Sequence, residues 1–293
     1  MFELLVPPQN PVDLARLCEQ ACLMEATARK PGNVHPGAQF QDLCYEDFVE
    51  SAQSASPWLA RAGVDGVGRA VFEAVRATRA RVGTNTNLGI ALLMAPLAAV
   101  PLDQTLGIGI EQVLRSLSPE DAARVYGAIR LAQPGGLGRV QDGDVATAPP
   151  TDLLWAMQLA ADRDWIARQY VTGFRDLLEM AVPTLAEWQP AAGWELRVIH
   201  LHLELMARWP DTLIARKCGG EVAAESARRA RGVLDSGWPG SPAGQGAIED
   251  FDAWLRADGH RRNPGTTADA VAATLFAAMR DGRTTFPDWV WAG

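Results

Sequence analysis

The sequence predicts an all-α protein, a single-domain multi-helix array spanning 1–293 with long Gly/Pro-rich loops near the candidate site. Three observations carry that expectation. Apolar residues recur at three- and four-residue steps through most of the chain, helix start and stop signals punctuate those runs, and the alternating pattern of a half-buried strand is scarce. Segment 13–29 runs apolar into a Pro-Gly turn, and 44–62 follows it. Between 65 and 81, Val67, Ala70, Val71, Ala74, Val75 and Thr78 share one face and leave Arg69, Glu73 and Arg76 on the other, with Gly83 as the stop. Segment 87–99 is apolar from Leu88 onward. Ser118-Pro119-Glu120-Asp121 opens 119–132 with a capping hydroxyl, a proline at the first helical position and acids in the first turn. Thr151-Asp152 opens 151–182 in the same manner, and 194–208, 220–234, 246–257 and 267–280 complete the set.

Gln133–Pro150 and Asp235–Gly246 interrupt this pattern, both rich in Gly and Pro. Their flanks share one composition, so they read as loops or lids within one domain rather than as linkers. Hydrophobic residues at 48% and charged residues at 21% describe an ordinary globular chain. Cys18, Cys22, Cys44 and Cys218 form no C-x-x-C pair and His35, His200, His202 and His260 lack zinc-finger spacing, so core thiols are expected rather than a zinc site. The N-terminal MFELLVPPQNPVDLARL has neither a basic start nor a long apolar run, and no later stretch reaches about eighteen apolar residues. A cytoplasmic protein with no membrane partner is expected. The net charge of −8 disfavours nucleic acid as a partner and requires any anionic ligand to meet a local positive site. Arginine supplies every cation except Lys30 and Lys217, both beside glycine-containing turns; they mark places that want a compact ammonium, or simply escape an arginine bias. The Trp-rich tail Phe286-Pro-Asp-Trp289-Val-Trp291 reads as a homodimer contact or as core.

Four segments place polar side chains and glycine at helix ends. In Glu25-Ala-Thr-Ala-Arg29-Lys30-Pro31-Gly32-Asn33, Pro31 biases Lys30 out of the α region, so a helix ends there, and the cations either meet a ligand or offset the helix dipole. Gly83-Thr84-Asn85-Thr86-Asn87-Leu88-Gly89 offers hydroxyls, amides and a helix start to a phosphate or ribose; capping alone would need a single such side chain. In Asp211-Thr212-Leu-Ile-Ala-Arg216-Lys217-Cys-Gly219-Gly220, Asp211 suits a metal, an orienting contact to Arg216, or a helix cap. Asn263-Pro264-Gly265-Thr266-Thr267-Ala268-Asp269 opens an Ala-rich helix, with Thr266 and Asp269 at capping-box spacing. Walker, dinucleotide-binding, G-x-S-x-G and H-E-x-x-H patterns are not convincingly present.

Together and in order, these segments resemble the triphosphoribosyl-dephospho-CoA synthase family, whose members carry P-K-P-G, G-x-N-T-H-K-G, D-T-x-x-x-R-x-G and S-P-G-G-S-A-D-L-L-A motifs over most of the chain. The resemblance implies a mostly helical, ATP-dependent transferase of cofactor biosynthesis that moves the 5-triphosphoribosyl group of ATP to the 2′-hydroxyl of dephospho-CoA and releases adenine. It implies Glu25 and Asp269 as catalytic candidates. Lys30, Gly32, Asn33, Thr84, Asn85, Thr86, Asn87, Arg216, Lys217, Gly219, Gly265 and Thr266 become nucleotide-binding candidates. Asp211 and Asp269 become candidate ligands for Mg2+ accompanying the triphosphate. Asn87-Leu88 replaces the family's His-Lys, which leaves two alternatives: a relative that transfers a ribosyl or nucleotide-derived group to another acceptor, and a non-catalytic nucleotide-binding regulator.

Overall fold

The computed structural model describes residues 10–135, 151–188 and 193–286, and among them it is helical with no named strand. The helices are α1 (Pro11–Thr27), α2 (Tyr45–Leu59), α3 (Ala62–Asp65), α4 (Val67–Val82), α5 (Leu88–Ala99), α6 (Leu106–Arg115), α7 (Pro119–Ala132), α8 (Leu153–Ala160) and α9 (Trp165–Thr172). A π-helical turn at Asp176–Ala181 leads into α10 (Val182–Glu187), followed by α11 (Trp194–Arg208), α12 (Thr212–Cys218), α13 (Gly220–Asp235), α14 (Pro242–Arg256) and α15 (Gly265–Arg280). None of the described helices is long and apolar enough to cross a membrane.

The centre is set by two helices that are apolar all round, the composition expected of an element with no solvent face. In α5, Leu88 and Ile90 through Ala98 are buried; in α15, burial is continuous from Ala270 to Arg280. The two helices pack on each other, and α1 and α11 pack on α15. The amphipathic α4 turns Val67, Ala70, Val71, Ala74, Val75 and Thr78 inward against α2, α5 and α7, the face read from the sequence. A second apolar cluster under α11, α13 and α14 gathers Leu203, Met206, Ile214, Phe251 and Leu255. Arg280 is 3% exposed at the end of α15, and its guanidinium donates to the carbonyls of Val100, Pro101 and Gln104. A charged group at that depth is tolerated because fixed dipoles replace its water.

Capping chemistry explains where the chain departs from expectation. Segment 151–182 is not one helix. Asp164 leaves the helical region at φ −135° and ψ 116°, and its Oδ1 accepts from the N–H groups of Ile166 and Ala167, so α9 is a fresh start. Gly173 (φ 65°) and Phe174 (φ 59°) then close α9 in the left-handed region. Segment 44–62 divides after Leu59, and Gly66 (φ 90°) separates α3 from α4. Asp235–Gly246 is no long loop: Ser241 accepts from Gly244 N at 2.9 Å and Pro242 occupies the first turn, so α14 starts there. Gly244 is required, because a Cβ would lie 2.4 Å from Trp238 N. Helices α6, α10 and α12 complete the array beyond the segments expected. The expected loop 133–150 lies outside the described residues from 136 on, as does the tail from 287 on.

Candidate functional site

The polar segments meet at a cavity of about 760 Å³. Its floor comes from Glu25 on α1 and Asp269 on α15, one side from Thr84, Asn85, Thr86 and Asn87, and another from Arg216 and Lys217 on α12. Asn33, Gly265 and Thr266 also line it, while Val125, Ile129, Leu153 and Met157 give α7 and α8 an apolar wall. Lys30, Gly32, Asp211 and Gly219 do not line it.

Each side chain is aimed by an identifiable local cause. Asn85 Oδ1 accepts from Leu88 N at 3.2 Å and holds the 84–87 turn against the start of α5. Asn87 is buried and donates through Nδ2 to Thr78 Oγ1 at 2.7 Å, leaving its Oδ1 without a partner among the described residues. Thr86 hydrogen-bonds Ser51. Leu88 is 7% exposed and belongs to the core, so the turn carries no cation at 87–88. Asn33 Nδ2 donates to Asn263 Oδ1 at 2.7 Å, and its own Oδ1 is likewise unpartnered. The Asp269 carboxylate rests on Gly89: a Cβ there would lie 1.9 Å from Oδ2 and 2.9 Å from Ile166 Cδ1. Glycine at 89 is therefore what makes room for the acid.

Asp211 is consumed by the fold. Its Oδ1 accepts from Leu213 N (2.9 Å) and Ile214 N (3.0 Å), and its Oδ2 from Thr267 N (2.7 Å) and Thr267 Oγ1 (2.8 Å). One carboxylate thus caps α12 and ties it to the start of α15, which has no side-chain cap of its own. The capping-box alternative for Asp269 is thereby replaced by a cap from another helix. Gly32 (φ 78°) donates its N–H to Asp252 Oδ1 at 2.7 Å, and Gly219 (φ 94°) turns the chain between α12 and α13. Of the two expected magnesium ligands, Asp269 lines the cavity and Asp211 does not. Asp211 is hydrogen-bonded on both oxygens, and no group of three or more metal-ligating side chains occurs among the described residues.

Electrostatics separates the two carboxylates on the floor. Glu25 is 4% exposed and pairs with Lys30 Nζ at 2.9 Å. Asp269 has no hydrogen bond or ion pair among the described residues. Burial first, then the charges of Glu25 and Asp211, push its carboxyl well above the usual range. Burial also lowers the Lys217 ammonium. Arg216 Nη1 meets Asp164 Oδ2 at 2.6 Å, so the residue that caps α9 also orients the cation, whose Nε has no partner among the described residues. Arg79, Arg163, Asp42 and His260, with His260 Nδ1 and Asp42 Oδ1 3.0 Å apart, line the cavity too and were not singled out in the sequence. Nothing distinguishes Arg79 or Arg163 from the other arginines, whereas Asp164 carries a readable cap signal.

The cavity thus sets two carboxylates of unlike environment and the cations of Arg79, Arg163, Arg216 and Lys217 on one lining within a helical fold. The chain belongs to the ATP:dephospho-CoA triphosphoribosyl transferase family, whose model matches residues 11–286. Its fold resembles a crystal structure from Archaeoglobus fulgidus assigned as a triphosphoribosyl-dephospho-CoA synthase, with a TM-score of 0.61 and 24% identity over 80% of this chain and 99% of that one. No curated protein matches it.

Proposed function

We propose that the cavity binds ATP with its triphosphate among Arg79, Arg163, Arg216 and Lys217 and its ribose against Thr84–Asn87, and that Glu25 and Asp269 drive displacement at C1′. The 2′-hydroxyl oxygen of dephospho-CoA bonds to C1′ while the C1′–N9 bond breaks and its electron pair leaves with adenine. Glu25 takes the hydroxyl proton, and Asp269 gives a proton to the departing base. The assignment follows from environment: a carboxylate beside an ammonium suits a base and a stabiliser of positive charge at C1′, and a carboxyl with a raised proton affinity suits an acid. Magnesium arriving with the triphosphate would be carried on phosphate oxygens, and no step depends on it.

The observation that carries this reading is the convergence of Glu25 and Asp269 with Thr84–Asn87 and Arg216-Lys217 on one cavity. Its test is adenine release from ATP in the presence of dephospho-CoA. Glu25→Gln and Asp269→Asn are each expected to lower kcat by about 10²-fold or more while ATP still binds. Wild-type turnover in either variant removes that residue from the chemistry. A second acceptor reading rests on the uncharged Asn87-Leu88 pair, and adenine release that ignores dephospho-CoA but follows another acceptor would favour it.

A further inference from the structure

We infer that Lys30 is a positioning residue that never touches the nucleotide: from beneath the cavity it holds the Glu25 carboxylate in place as the anion of the floor pair. The inference rests on the reading of Glu25 and Asp269 as working partners.

Lys30 is fully buried, and its ammonium is saturated by Glu25 Oε1 at 2.9 Å, the Glu25 carbonyl, and Ala28 O at 3.4 Å. An ammonium has three donors, so none is left for a phosphate. The Glu25 carbonyl lies in the last turn of α1, among the acceptors a helix leaves unpaired. Lys30 therefore caps the helix and pairs with the carboxylate that helix presents. The sequence arranges this by reversing the chain. Pro31 keeps Lys30 out of the helix, Lys30 N bonds Ala28 O at 2.7 Å, and Gly32 turns away at φ 78°. A planar guanidinium does not match three acceptors converging on one point, which accounts for lysine here in a chain otherwise rich in arginine.

The titratable surroundings leave Glu25 as the counter-charge of Lys30. From α11, His202 is fully buried, and burial and then the Lys30 charge hold it neutral against a contact with the Pro31 backbone; burial and the charges of Arg256 and Lys30 likewise lower His35. On α1 itself burial keeps the Cys22 thiol protonated. From α2, the Tyr45 hydroxyl lies 2.9 Å from Thr27 Oγ1. Asp269 faces the cavity from α15, with Arg216 acting on it from α12. Removing the Lys30 side chain would leave the buried Glu25 carboxylate without its ion-pair partner and free to leave the position it holds with Asp269 on the cavity lining.

The test compares Lys30→Met, Glu25→Gln and the double variant in the full chain, using ATP and dephospho-CoA. Lys30→Met is expected to lower kcat about 100-fold at neutral pH. ATP affinity should stay within about twofold, because an interaction absent from the bound nucleotide is not lost. The double variant should match Glu25→Gln in kcat and melt above Lys30→Met, since a buried carboxylate without its cation is the costly state. ATP binding weakened about tenfold with kcat unchanged would make Lys30 a phosphate ligand and overturn the inference. A lower Tm with kcat unchanged would reduce Lys30 to a helix cap and overturn the inference. If Lys30→Met does not fold, the double variant decides: folded with wild-type ATP affinity supports the inference, and unfolded while Glu25→Gln folds overturns it. Wild-type turnover by Glu25→Gln removes the role of Glu25 itself and is read separately.

Discussion

Asp269 is placed where its two states have opposite consequences. Burial and the neighbouring Glu25 and Asp211 charges disfavour its ionised form, and Arg216 offsets them only in part. A carboxyl whose proton affinity is raised in the folded state contributes fully to stability below its unfolded value, near pH 4, and loses that contribution as pH rises through the folded value. Asp269→Asn does not titrate, so it is expected to melt above wild type at pH 8 and to show a smaller gap at pH 5. The gain should follow about 2–4 °C for each kcal/mol released. Turnover would fall in the same variant. Melting curves at the two pH values check this, and a variant that melts below wild type at pH 8 would mean that the carboxylate has a stabilising partner. The candidacy of Asp269 was legible from its helix-start motif, but its unpartnered state was not. That depends on Asp211, fifty-odd residues earlier, having taken over the capping of α15.

At the scale of elements, the sequence states helix starts more reliably than it states continuity. Segments 119–132 and 194–208 match α7 and α11 because caps and apolar stripes agree there. Segment 151–182 misled because its apolar content continues across Asp164 and Gly173, where backbone dihedrals rather than composition end the helices. The α4–α5 turn shows what a motif conceals. Its hydroxyls and amides were visible, whereas the reason for Gly89 appears only when Asp269 is seen lying on it. Gly89→Ala should therefore leave the fold intact, since alanine is a good helix former and the atoms its Cβ would meet are the ends of the Asp269 and Ile166 side chains rather than backbone. The new methyl would displace the Asp269 carboxylate and the Ile166 side chain. A fall in kcat of about 10–100-fold with Tm near wild type is expected, because small misplacements of reacting groups cost rates of that order. Unchanged kcat would show that the position of Asp269 against α5 does not matter.

The whole molecule carries a net charge of −8 yet gathers Arg79, Arg163, Arg216 and Lys217 around one cavity. No single stretch of sequence contains that cluster; it forms because α4, the α8–α9 junction and α12 converge, so local reading found only its α12 members. Asp164 offsets Arg216, which leaves Lys217 as a cation with no ion pair among the described residues and with its ammonium lowered by burial. A bound polyphosphate would favour its charged form. Affinity should then decline as pH rises through the lowered value, and Lys217→Ala should bind more weakly and lose that alkaline decline. Inorganic tripolyphosphate isolates this effect from adenine and ribose. It should inhibit competitively against ATP, weaken with added salt as the Debye length shrinks to about 10 Å near 0.1 M, and lose about fivefold or more in affinity in Lys217→Ala. Inhibition that is not competitive with ATP, or that ignores both salt and Lys217, would place the triphosphate away from α12. The cationic side of the cavity would then have to serve the pyrophosphate of the acceptor.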